Sequence, residues 1–147
     1  MTNNELHKNS SNPSSLGEGW GGVILYEDNH LIAVNKTCSD LTQGDKTGDV
    51  TLPDKIKTYL KEKYNKPGNV FCGVTHRLDR PTSGVVIFAK TSKALTRMNE
   101  MFQQHEVKKI YWAIVKNTPK EPSAKLTHYL IRNEKQNKSY AYDAEKE

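Results

Sequence analysis

The residues best equipped for chemistry lie together at 76–84, His76-Arg77-Leu78-Asp79-Arg80-Pro81-Thr82-Ser83-Gly84. One carboxylate, Asp79, stands between two arginines. Positive charge on both sides favours a charged carboxylate, which can act as nucleophile, base or electrostatic stabiliser. The same grouping also suits a structural Arg–Asp ion pair, and the residue types alone lean that way because such pairs are common. His76, Asp79 and Ser83 are the residue types of a hydrolytic triad, but they are too close in sequence to presume triad geometry, and there is no Gly-x-Ser-x-Gly turn. His76, His105 and His128 lack the spacing of metal ligands. Neither a P-loop nor Gly-x-Gly-x-x-Gly occurs. Lys108-Lys109-Ile110-Tyr111 joins two cations to an aromatic ring, which suits phosphate contact with base stacking and equally suits an amphipathic strand with a basic edge.

The elements that must position this cluster can be read from the apolar pattern. Val70–Thr75 and Val85–Lys90 flank it as short apolar runs bounded by turn residues, the pattern of buried strands. Upstream, Val23–Tyr26 and His30–Val34 form an expected hairpin around Glu27-Asp28-Asn29. Residues 35–50 are polar and read as a long loop, a length that is often functional and otherwise a surface excursion. Pro53 suits a helix first turn, and Ile56, Tyr59, Leu60 and Tyr64 make one apolar helical face ended by Lys66-Pro67-Gly68-Asn69. Thr91 or Ser92 can cap a second helix whose stripe is Leu95, Met98, Met101 and Phe102. Residues 107–115 alternate as a strand, with Ile110, Trp112 and Ile114 on one face, and 126–131 make a further strand. Strands outnumber helices, so the expected class is α+β, a mixed, largely antiparallel sheet with packed helices. Residues 1–19 are polar and rich in Asn and Ser, and read as a disordered tail, with Trp20 marking the start of order.

Composition narrows the function classes. The chain has 147 residues, a size suited to one domain, and no apolar run approaches a membrane span. Its N-terminus lacks the apolar core of a secretory signal. Cys38 and Cys72 are far apart and outside any Cys-x-x-Cys pair, so the reading is a reducing cytoplasm and no zinc site. Net charge is +5 over the whole chain, but residues 51–139 alone carry +11. That surplus surrounds the Arg-Asp-Arg cluster and raises nucleic acid as a partner, although on charge alone a solvated lysine-rich surface is the commoner reading.

His76 to Gly84, followed by Val85-Val86-Ile87-Phe88-Ala89-Lys90, closely resembles the central motif of the RluA-type pseudouridine synthases, nearly without interruption over fifteen residues. Lys109-Ile110-Tyr111 resembles the family's downstream Lys-x-Tyr element. Val34-Asn35-Lys36 is similar to its upstream motif, with Thr37 in place of the usual proline and Ser39-Asp40 in place of small residues. A less rigid loop is expected there.

The resemblance implies isomerisation of uridine to pseudouridine in rRNA or tRNA, with no metal or organic cofactor, no membrane partner and no DNA. It implies that Asp79 is the catalytic aspartate, attacking the ribose or otherwise promoting glycosidic cleavage. Arg77 would fill the gap left by the flipped nucleotide, since the bond is inaccessible in a stacked helix. Tyr111 would pack on the target base, Arg80 would position the motif or meet a phosphate, and His76 completes the expected substrate-binding set. A later Gly-Arg-x-His-Gln-Ile-Arg-like family segment, which brings an arginine to the aspartate, does not occur in this sequence. Residues 20–147 therefore read as a truncated catalytic domain with exposed edges and poor solubility. The alternative is an RNA-binding fragment without turnover.

Overall fold

A computed structural model of the chain describes residues 23–44 and 48–144. The expected tail at 1–19 and Trp20 lie outside the described residues. The chain divides into two compact units, one running to Lys109 and one from Ile110.

The first unit is a four-stranded sheet with two helices. Its strands are β1 (Val23–Glu27), β2 (Leu31–Lys36), β3 (Gly73–Val74) and β4 (Gly84–Ala89), in the order β1-β2-β4-β3, and every pairing is antiparallel. The helices are α1 (Leu52–Lys63) and α2 (Ser92–Gln103). Alternation along β2 and β4 sends Ile32, Val34, Val86 and Phe88 to one face. There they form a buried cluster with Ile24 and with Leu52, Ile56 and Leu60 of α1. Thr51 caps α1 in a reciprocal box with Asp54, and Thr91 caps α2 by accepting from the Ala94 amide. Met98 is buried, whereas Met101 of the same expected stripe is exposed.

At the Leu31–Ala89 end of the sheet, Glu27 joins three elements. One of its oxygens accepts from Tyr59 Oη (2.9 Å) and Lys63 Nζ (2.8 Å), the other from Tyr64 Oη and Lys90 Nζ (2.7 Å each). Burial pushes the Glu27 carboxyl up, but the hydrogen bonds from Lys63, Lys90, Tyr64 and Tyr59 outweigh it and hold the group at about 2, against an ordinary 4.5. Because the folded value is depressed, this stability is present above about pH 4.5 and is lost as pH falls toward 2. Allowing for screening at the exposed Lys63 end, the contribution is about 2–3 kcal/mol. Glu27→Gln is expected to lower stability at pH 7 by that amount and to flatten the loss between pH 5 and pH 2. Urea unfolding at pH 7, pH 5 and pH 2 measures both, and an unchanged acid slope would remove Glu27 from this role.

The second unit holds an antiparallel hairpin, β5 (Tyr129–Asn133) and β6 (Lys138–Tyr142). It corrects the sequence reading at one place. The expected strand over 107–115 does not form, and Trp112 and Ile114 are almost fully exposed. Alternation supplies a face but no ladder. A strand needs a neighbouring backbone, and β5 and β6 pair with each other. The polar stretch after Arg132 closes the hairpin. Asn133 Oδ1 accepts from the Gln136 amide, the Asn137 amide donates to Glu134 O (3.2 Å), and Asn137 takes the left-handed conformation that asparagine tolerates.

Candidate active site

The motif begins where β3 leaves β4. The expected strand over 70–75 is reduced to Gly73–Val74, because the next two side chains replace the backbone ladder. Thr75 Oγ1 donates to the Ile87 carbonyl (2.6 Å), and His76 Nε2 accepts from the Ile87 amide (3.0 Å). Both polar groups of Ile87 are thereby met by side chains, which leaves the backbone after His76 at liberty to turn away from the sheet. The imidazole also lies against the Phe102 ring of α2, centroids 5.1 Å apart.

Burial, reinforced by the charge of Lys109, pushes the His76 pKa down. The ring is therefore neutral, with its proton on Nδ1, as an accepting Nε2 requires. The sign follows from the depressed value. The unfolded chain takes up the proton first, so this stability is present above about pH 6.5 and fades below it. His76→Phe is expected to keep the ring contact, strand the Ile87 amide and cost about 1–2 kcal/mol. Thermal unfolding of the variant at pH 7.5 and pH 5.5 reads this out as a gap from the wild type that narrows at the lower pH.

The far side of the motif is held from beneath by Lys36, which has no solvent exposure. Its ammonium donates to three carbonyls, Thr37 (3.0 Å), Arg80 (3.0 Å) and Thr82 (2.6 Å). Three N–H donors meet three acceptors, which is how a buried charge is tolerated. Burial pushes the Lys36 pKa down, while the charges of Asp40 and Asp79 pull it back up. The turn is closed further by the Thr82 amide on Asp79 O (2.9 Å) and by Thr42 Oγ1 on Leu78 O (3.3 Å). Gly84, opposite Lys36 in the register, returns the chain to the sheet at φ 139°, a conformation that favours glycine.

The loop after β2 is tied down where a less rigid one was expected. Asp40, itself buried, accepts from the Thr37 amide (3.0 Å) and hydroxyl (2.7 Å) and pairs with Lys55 of α1 (2.9 Å). Hydrogen bonds supply the stiffness that proline would otherwise give.

Within this frame Asp79 is exposed, and among the described residues its carboxylate makes no hydrogen bond or ion pair. Arg80, one of its two flanking arginines, pairs instead with Asp49, at 3.0 Å. Arg77 is exposed. His76, Arg77, Asp79 and Arg80 are thus brought into one loop of the first unit. Tyr111 belongs to the second unit, where it is exposed. The side chain that the sequence reading left out of the site is Lys36. Its signal was there, a lysine two residues after the apolar run of β2 in the upstream motif. Cys72 is no alternative nucleophile, because burial pushes its thiol up to about 12. No group of three or more His, Cys, Asp or Glu among the described residues could hold a metal ion.

The profile of the RNA pseudouridylate synthase family matches residues 30–147, which include every element from β2 onward. The chain belongs to this family. Its relatives place it in the RluA type. Over 93 residues it is 42% identical to tRNA pseudouridine synthase C of Haemophilus ducreyi, covering 63% of this chain and 36% of that protein. It is 37% identical to the dual-specificity RNA pseudouridine synthase RluA of Haemophilus influenzae (63% and 39%) and 32% identical to the ribosomal large subunit pseudouridine synthase C of Buchnera aphidicola (78% and 35%). The chain therefore spans a little over a third of the length of these RluA-type synthases. No helix among the described residues is long and apolar enough to cross a membrane.

Proposed function

We propose that this chain forms the motif-bearing part of a cytoplasmic isomerase that converts uridine to pseudouridine in structured rRNA or tRNA. Asp79 is its catalytic carboxylate. The observation that carries this reading is the state of Asp79 in a family-matched segment. The carboxylate is exposed and makes no ion pair among the described residues, on a turn fixed by Lys36 and closed by its own main chain. An Arg–Asp pair built for stability would join Asp79 to a neighbour, and Arg80 is bonded to Asp49 instead. Such a carboxylate is available to a reactant and held in place by groups that do not consume it.

In this proposal Arg77 occupies the space of the flipped nucleotide, Tyr111 packs on the target base, and Arg80 meets a phosphate. His76 serves the substrate by orienting the motif, its Nε2 being committed to Ile87. No metal or organic cofactor takes part, and the catalytic domain is proposed to begin near residue 20. A second reading, RNA binding without turnover, is favoured by the +11 charge of residues 51–139, which suits phosphate contact whether or not chemistry follows.

The test is to incubate the chain with unmodified rRNA and tRNA transcripts and to measure pseudouridine by nucleoside mass spectrometry, with RNA binding measured in parallel. Formation of pseudouridine supports the first reading. Salt-sensitive binding without product supports the second. No binding at low salt removes both.

A further inference from the structure

Among the described residues, the loop that approaches the motif carries two ion pairs of different build. Asp40–Lys55 is anchored by a buried carboxylate that also holds Thr37. Asp49–Arg80, at 3.0 Å, has both side chains about half exposed, 50% and 48%. The first belongs to the framework, whereas the second lies at the surface beside Asp79. The main chain of Arg80 is fixed by its carbonyl on Lys36, so its guanidinium leaves a fixed point and meets an acid from a different loop.

A carboxylate and a phosphate offer a guanidinium the same kind of anionic oxygens, and arginine binds either with its fork of N–H donors. An exposed pair of this kind shifts an equilibrium by only about twofold to fivefold, so a polyanion can displace it. We infer that Asp49 stands in for an RNA phosphate on Arg80 in the free protein, and that a backbone phosphate of the bound RNA takes its place. The inference rests on the RNA reading above. It gives Asp49 a role in selectivity. An RNA that places a phosphate at Arg80 recovers the lost pair, while one that does not must bind with Arg80 still occupied.

The experiment is a fluorescence-anisotropy titration of a labelled, uridine-containing RNA stem-loop at several salt concentrations. It uses the wild type, Asp49→Asn, Arg80→Gln and the double variant. Asp49→Asn is expected to bind about twofold to fivefold more tightly. Arg80→Gln is expected to bind more weakly, with a salt slope reduced by about 1. In the Arg80→Gln background, Asp49→Asn is expected to change nothing. Asp49→Ser repeats the measurement with a second side chain, and thermal unfolding verifies that each variant is folded. Equal or weaker binding by both Asp49 variants overturns the inference and leaves the RNA reading intact. So does tightening that persists without Arg80, because that would be a general charge effect. Failure of the wild type to bind RNA at low salt overturns both together.

Discussion

Asp79→Asn is expected to lower pseudouridine formation by roughly 10³-fold or more while changing folding stability by less than about 0.5 kcal/mol. The two halves of this expectation come from the same geometry. Asparagine has the shape of aspartate but carries no charge and is a poor nucleophile and base, so chemistry that needs the carboxylate stops. Stability is spared because the motif turn is closed by main-chain groups, the Thr82 amide on Asp79 O and the Lys36 ammonium on Arg80 O and Thr82 O. The Asp79 side chain adds no hydrogen bond to that closure among the described residues. The competing structural reading gives the opposite pattern, since an aspartate that held an arginine in place would show its loss in the unfolding transition. Parallel mass spectrometry of modified RNA and urea unfolding of the purified variant separate the two. Undiminished product would remove Asp79 from the chemistry, and a stability loss of about 2 kcal/mol would restore the ion pair as its role.

Much of the first unit was legible because its signals are local and periodic. Ile56 and Leu60 at helical spacing gave α1, short apolar runs bounded by turn residues gave β2 and β4, and the polar turn at 27–29 gave their neighbour β1. The α1 capping box of Thr51 and Asp54 was not read from the sequence, and the structure uses it to start the helix one residue before Pro53. What was not legible depends on partners far away in sequence. Nothing in the run Val70–Thr75 says that the ladder stops after Val74 and continues through the side chains of Thr75 and His76, because that depends on where Ile87 sits. The alternation at 107–115 was a true pattern with no strand beside it among the described residues, whereas the polar residues 133–139 close a hairpin through turn chemistry. The candidate site divides in the same way. Its charged residues were visible at 76–80, but the choice between a paired and an available Asp79 required knowing that Asp49, thirty-one residues before Arg80, takes the guanidinium.

Lys36→Met is expected to cost both stability and activity, and its comparison with Asp79→Asn separates building the motif from using it. Methionine fills a similar volume, so the packing loss is small. It donates nothing, however, and three carbonyls lose their common donor, those of Thr37, Arg80 and Thr82. Each unmet, part-buried acceptor costs about 1 kcal/mol or more, partly offset by no longer burying a charge, which gives a net loss of about 2–4 kcal/mol. Two of those carbonyls flank Pro81 in the turn that follows Asp79. Without the ammonium, the segment that aims the carboxylate is no longer tied to the end of β2. A displacement of about 1 Å in a reacting group can cost on the order of 10²-fold in rate. The expected result is therefore a lowered unfolding midpoint together with a fall of about that size in pseudouridine formation, measured at a temperature where the variant is still folded. RNA affinity should change less than the rate, because Arg77 and the lysine-rich surface remain. A folded Lys36→Met chain with full activity would show that the motif holds its geometry through the Asp79–Thr82 turn and the Thr42 clasp alone, and that the buried lysine serves only the fold.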